Sequence, residues 1–138
     1  MTLFRFMSLK EFADYLDGKV LINNKKHQGQ TFSYGFCFLN YDEYKPNDAI
    51  KFLSGIVSFD VCAVFETKKE LHESYGLYHK PNTYPAERFV AKEYCTTMYD
   101  NKKIKLVKYS TDIYEKWLEG FTRGKNEEFN WKEVDTNE

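Results

Sequence analysis

The stretch "IVSFDVCAVFE" at residues 56–66 constrains the fold more than any other part of the chain. It is apolar at both odd and even positions, so as an extended segment it has no face to turn to water. A strand of that kind is covered on both sides, and this one is the best candidate for the centre of a sheet with other layers above and below it.

The segments around it alternate between short strands and short helices. "LFRFM" (3–7) is strand-like and sets Phe4 and Phe6 on one face, leaving Leu3, Arg5 and Met7 on the other. An arginine there needs a partner. "SLKEFADYLDG" opens with Ser8 and Glu11 at capping-box spacing, continues with Leu9, Phe12, Ala13 and Leu16 at helical spacing, and stops at Gly18. "KVLIN" (19–23) is a short strand, 24–35 a polar loop, and "FCFLN" (36–40) an apolar strand. Asn47 can cap a helix ending near Gly55. "TKKE" (67–70) is a second capping box, and 74–85 is an aromatic loop carrying Gly76, Pro81 and Pro85. "KIKLVKY" (103–109) is a half-buried or edge strand, followed by an amphipathic helix over 110–121. From 122 to 138 the chain is polar with isolated aromatics, which predicts a loosely docked tail behind one domain at 1–121. Interleaved short elements of both kinds predict an α+β fold with small twisted mixed or antiparallel sheets and flanking short helices.

A chain of 138 residues can bury a core without disulfide or metal staples. Its net charge of -1, with signs interleaved, provides no field to attract nucleic acid or anionic lipid. No apolar run reaches the roughly 18 residues needed to cross a bilayer, and "MTLFRFMSLKEF" lacks signal-peptide order, so a cytoplasmic protein is expected. Cys37, Cys62 and Cys95 are odd in number and lie in apolar surroundings, which predicts reduced core thiols and no metal site. His27 and His79 are expected at the surface.

"YPAERFVAKEY" (84–94) carries the one carboxylate that invites a chemical reading. Pro85 and Glu87 suit a first helical turn, and positions 86, 89, 90, 94 and 98 form a helical stripe. Phe89, Val90, Tyr94, Thr96 and Thr97 favour a strand instead. Periodicity leaves the two open over 86–98.

The order "LFRFMS", helix, "GKVLIN", "SYGFCF", long apolar strand, then "PAERFV" resembles the ADP-ribosyltransferase-like fold over roughly residues 3 to 109. "AERFV" looks like the catalytic-glutamate segment of members that act on nucleic acids, which implies a strand there. The resemblance implies NAD as substrate, held in a cleft between two sheets, with ADP-ribose passed to a macromolecular acceptor or NAD hydrolysed. Arg5 would contact NAD, with a guanidinium fork suited to phosphate or ribose. Glu87 would be the catalytic glutamate, stabilising the oxocarbenium-like state as nicotinamide leaves. Ser33 and Tyr34 would support the cofactor, and Tyr75 or Tyr78 would stack on nicotinamide. The chain lacks the family's Glu-x-Glu pair and Ser-Thr-Ser triplet. The competing expectation is a non-catalytic phage or mobile-element protein that inhibits a host factor through its aromatic-rich surface.

Overall fold

The computed structural model describes residues 1–24, 35–53, 57–80, 84–85, 87–124 and 128–134. In chain order the elements are β1 (Thr2–Met7), α1 (Leu9–Leu16), β2 (Leu21–Ile22), β3 (Phe36–Asn40), α2 (Pro46–Leu53), β4 (Val61–Thr67), β5 (His72–His79), β6 (Arg88–Thr96), β7 (Met98–Tyr99), β8 (Ile104–Ser110), α3 (Ile113–Arg123) and β9 (Lys132–Glu133). Seven strands form one sheet in the order β5-β6-β3-β1-β4-β8-β9, antiparallel at every pairing, and β2 pairs with β7 apart from it. The fold is mixed α+β.

The second part of the two-faced apolar stretch is β4, whose residues from Val61 to Phe65 are all buried, while 57–60 lie ahead of the strand. On one face of the sheet Leu3, Met7, Phe38, Ala63 and Phe65 pack with Phe12 and Tyr15 of α1 and with Tyr99 of β7. On the other, Phe4, Phe6, Leu39, Cys62 and Val64 pack under Ala49, Ile50 and Leu53 of α2 and Ile113 of α3. In β1, β3 and β4 each residue takes its layer from its parity, as period-two alternation requires, while the β4–β8 register shift puts Leu106 and Tyr109 of β8 on one face.

Helix α1 starts where expected, with the Ser8 side chain accepting from the Glu11 backbone N–H at 3.1 Å. Its buried residues are Phe12 and Tyr15, however, while Leu9 and Leu16 are exposed. Aromatic rings cover more of the sheet than leucines do, so the helix settles on its aromatic edge. Tyr15 is 2% exposed, donates to the Ile104 carbonyl at 2.6 Å, and is pushed up to about 12 by burial. A folded value above the ordinary one of about 10 means the neutral phenol stabilises the fold fully below that pH. That contribution is lost as pH climbs from about 10 toward 12. Melting temperature should fall over that window in the native chain and fall less steeply in Tyr15→Phe; parallel curves would contradict this.

Three expectations change and one open choice is settled. Asn47 does not cap α2, which begins at Pro46 ahead of it. At 67–70 no helical turn forms: Thr67 ends β4 and its hydroxyl accepts from the Lys69 backbone N–H at 2.9 Å, a side-chain-mediated turn built by the same residue types. The aromatic segment at 74–85 starts as strand, because β5 continues through Gly76 to His79. Residues 88–96 are a strand, β6, which resolves the helix-strand ambiguity in favour of the β-branched and aromatic residues.

The domain also runs past 121. Phe129 is 4% exposed and meets Phe6 edge-on with ring centroids 6.4 Å apart, and β9 pairs with β8. The Asn130 backbone N–H donates to the Asp112 carboxylate at 3.2 Å. Phe129, with Trp131 and Val134 packed on the two cores, and a few backbone bonds dock a segment whose average polarity predicts a loose tail. Among the described residues no helix is long and apolar enough to cross a membrane.

Candidate functional site

Arg5 lies on the α1 side of β1, and its fork is filled. Nε and Nη2 donate to Glu11 Oε2 and Oε1 at 2.7 and 2.8 Å, and Nη1 donates to the Cys37 carbonyl at 3.2 Å. Tyr99 completes the group by donating its hydroxyl to Glu11 Oε2 at 2.7 Å. The Arg5 and Glu11 side chains are 17% and 14% exposed, and the guanidinium sits 5.2 Å from the Phe36 ring centroid. Burial works against the charged guanidinium, but the Glu11 carboxylate outweighs it and holds Arg5 above its ordinary value. Glu11, expected to close the capping box, instead ties α1 to the sheet. The pair is a bolt through β1, α1, β3 and β7.

Glu87 immediately precedes β6. Its side chain is 63% exposed and stands 3.6 Å from Lys80, whose backbone N–H donates to the Glu87 carbonyl at 2.7 Å. The register keeps it away from Arg5. Phe4 pairs with Leu39, so Arg5 is level with Phe38, and Phe38 pairs with Tyr94. Glu87 lies further along β6 by the seven positions from 87 to 94, roughly 23 Å at strand rise, and two strands over, about 10 Å more sideways. Arg5 and Glu87 do not share a site.

The remaining candidates separate as well. Tyr75 and Tyr78 occupy opposite faces of β5, three residues apart, so one ligand ring cannot stack on both. Ser33, Tyr34 and His27 lie outside the described residues, and His79 is exposed at the end of β5. The strands that carry Arg5 and lead from Glu87 belong to one continuous sheet, not to two sheets facing across a cleft.

A different cluster forms on the α2 side of the sheet. Cys37 of β3 and Cys95 of β6 are directly opposite each other, and the Cys95 thiol reaches the Cys37 sulfur at 3.2 Å. Glu93 is two residues before Cys95 on the same face and only 3% exposed, and it accepts from the Tyr78 hydroxyl. The two sulfurs and a carboxylate oxygen lie within 4.8 Å of one another. Gly76 makes the room: a β-carbon there would overlap Glu93 Oε1 and come within 2.5–2.7 Å of the Tyr78 ring and hydroxyl. The bond from Cys95, together with burial, pushes the Cys37 thiol up, and burial followed by the Glu93 charge pushes the Tyr78 phenol up. Beside the cluster is a cavity of about 220 Å³ lined by Glu70, His72, Cys95, Thr96 and Thr97. Two thiols and a carboxylate are a donor set for a borderline-soft cation.

Sequence reasoning missed this group because it spans three strands and depends on their register. The only local signal was the i, i+2 spacing of Glu93 and Cys95, which puts both on one face once the segment is a strand.

The outer ribbon of the sheet has one further feature. On the α1 side Tyr75 is directly opposite Lys92, and Leu77 is opposite Val90. Tyr75 is 51% and Val90 59% exposed, although Phe38, Phe65 and Tyr94 on the same face are buried. The sheet outruns the layer that covers it. Comparison with family models, curated proteins and solved structures finds no match to this chain.

Proposed function

We propose that this protein works by binding a protein partner on the outer β5–β6 ribbon, in keeping with the non-catalytic expectation. The observation that carries the reading is the half-exposed pair Tyr75 and Val90 set in regular strands, with partly exposed Leu77 between them. Glu73, His79 and Arg88 are exposed around it, and Lys92 is partly so. An aromatic and aliphatic centre with a mixed-charge rim is the composition of a protein-protein contact. The rim carries both charge signs and the chain's net charge is only -1, which favours a protein over a polyanion. The transferase reading loses support from the same geometry, since its arginine is bonded to Glu11 and its glutamate stands beside Lys80.

The test places a photo-crosslinking residue at position 75, 90 or 114 in cells of the source. Tyr114 on α3 is 53% exposed and serves as a control away from the ribbon. Adducts are expected at 75 and 90 only, and Val90→Glu should abolish those at 75 while leaving the melting temperature unchanged. Equal adducts at 114, or none at the ribbon, would overturn the proposal. So would NAD turnover that Glu87→Gln abolishes, which would restore the ADP-ribosyltransferase-like reading with NAD as substrate.

A further inference from the structure

We propose that Cys37, Cys95 and Glu93 form a binding site for one borderline divalent transition ion of the Zn(II) type, with its fourth position open to the adjoining cavity. The site is independent of the ribbon, because these three residues face the α2 side of the sheet and Tyr75 and Val90 the α1 side.

Geometry is the first support. With zinc-sulfur bonds of about 2.3 Å in a tetrahedron, two ligating sulfurs stand about 3.8 Å apart. The sulfurs here are at 3.2 Å, and the carboxylate oxygen lies within 4.8 Å of both. Accommodating an ion asks the sulfurs to part by roughly half an ångström, which side-chain torsions absorb without moving either strand.

The carboxylate is the second support. Glu93 is almost wholly buried, yet its hydrogen-bond partner is the neutral hydroxyl of Tyr78, and among the described residues no salt bridge reaches it. Burying a carboxylate without a cation is costly, so a sequence that only needed to fill this space would do better with an apolar residue. Gly76 adds to the point: it leaves the carboxylate and the phenol the volume that any other side chain would occupy. Tyr78 then acts as the outer partner that fixes the carboxylate's orientation, the usual arrangement around a metal ligand.

The third support is access. The cavity touches Cys95, and His72 lines it while standing directly opposite Cys95 in the β5–β6 register. The cavity gives an ion a path to Cys95, and a water can fill the remaining position. On binding, each S–H bond is replaced by a sulfur-metal bond and two protons pass to solvent; no electrons change hands.

The experiment titrates Co(II), then Zn(II), into the reduced full-length chain and follows thiolate-to-cobalt charge transfer and melting temperature. One ion per chain is expected, with Zn(II) displacing Co(II) and raising the melting temperature. Cys37→Ser and Cys95→Ser should each weaken binding by more than roughly 100-fold, and Glu93→Gln by roughly 10- to 100-fold. Cys62→Ser, a buried thiol outside the cluster, should bind as the native chain does. Absence of saturable Co(II) binding, or binding that survives Cys37→Ser with Cys95→Ser, would overturn the proposal. Should the serine variants fail to fold, alkylation of the native chain decides. Zn(II) should shield Cys37 and Cys95 more than Cys62, and equal shielding of all three would count against the site.

Discussion

Arg5→Ala is expected to destabilise the protein by about 3–5 kcal/mol, since removing one partner of a largely buried ion pair strands the other charge. Glu11 would keep the Tyr99 hydroxyl but lose both guanidinium bonds in a pocket walled by Phe36 and Phe38. In a chain of this length that corresponds to a fall in melting temperature of roughly 10 °C or more. The double change Arg5→Met with Glu11→Leu should recover much of the loss, because no buried charge is left behind. An arginine held out for a cofactor would behave differently: its removal would shift stability by no more than about 0.5 kcal/mol, the usual range for a surface site. A thermal melt of the two variants beside the native chain separates the outcomes, and an unchanged melt of Arg5→Ala would refute the bolt.

Gly35→Ala is expected to be comparably damaging, by a sum of two effects. Gly35 has a φ of +77°, a left-handed conformation that costs another residue about 1–3 kcal/mol. A β-carbon there would also stand 2.5 Å from the Thr96 carbonyl oxygen and 3.1 Å from that of Asn23, both backbone atoms. Relieving that overlap means moving the β3–β6 ladder at its Phe36–Thr96 end, about 1–3 kcal/mol more for an overpacked site. Gly124→Ala is the matched control. Its φ is +68° at the end of α3, but nothing lies within 4 Å of the added carbon, so only the backbone strain applies. Similar melting temperatures for the two variants would show that the close approach at Gly35 does not matter. Because the same ladder aligns Cys37 with Cys95, Gly35→Ala should also blunt the stabilisation by Zn(II).

Legibility in the sequence followed the range of the interactions. The Ser8 cap, the ends of α1 and the double-sided burial of β4 depend on residues a few positions apart, and these could be read directly. The strand at 88–96 could not, since helical and extended periodicities both fitted and its pairing with β3 and β5 decided the matter. Gly76 looked like a loop residue because its reason for being glycine, the carboxylate of Glu93, comes from the neighbouring strand. The docked tail escaped notice for the same cause: Phe129 is buried by Phe6, at the other end of the chain.

The candidate chemistry divides in the same way. From the sequence alone come an α+β chain with a covered central strand, an Arg5 that must have a partner and three thiols in apolar surroundings. The identity of that partner, the distance from Arg5 to Glu87, and the meeting of Cys37, Cys95 and Glu93 were decided by strand order and register. Those are set by many distributed apolar contacts acting together, and no short segment carries enough of them to declare its neighbours in advance.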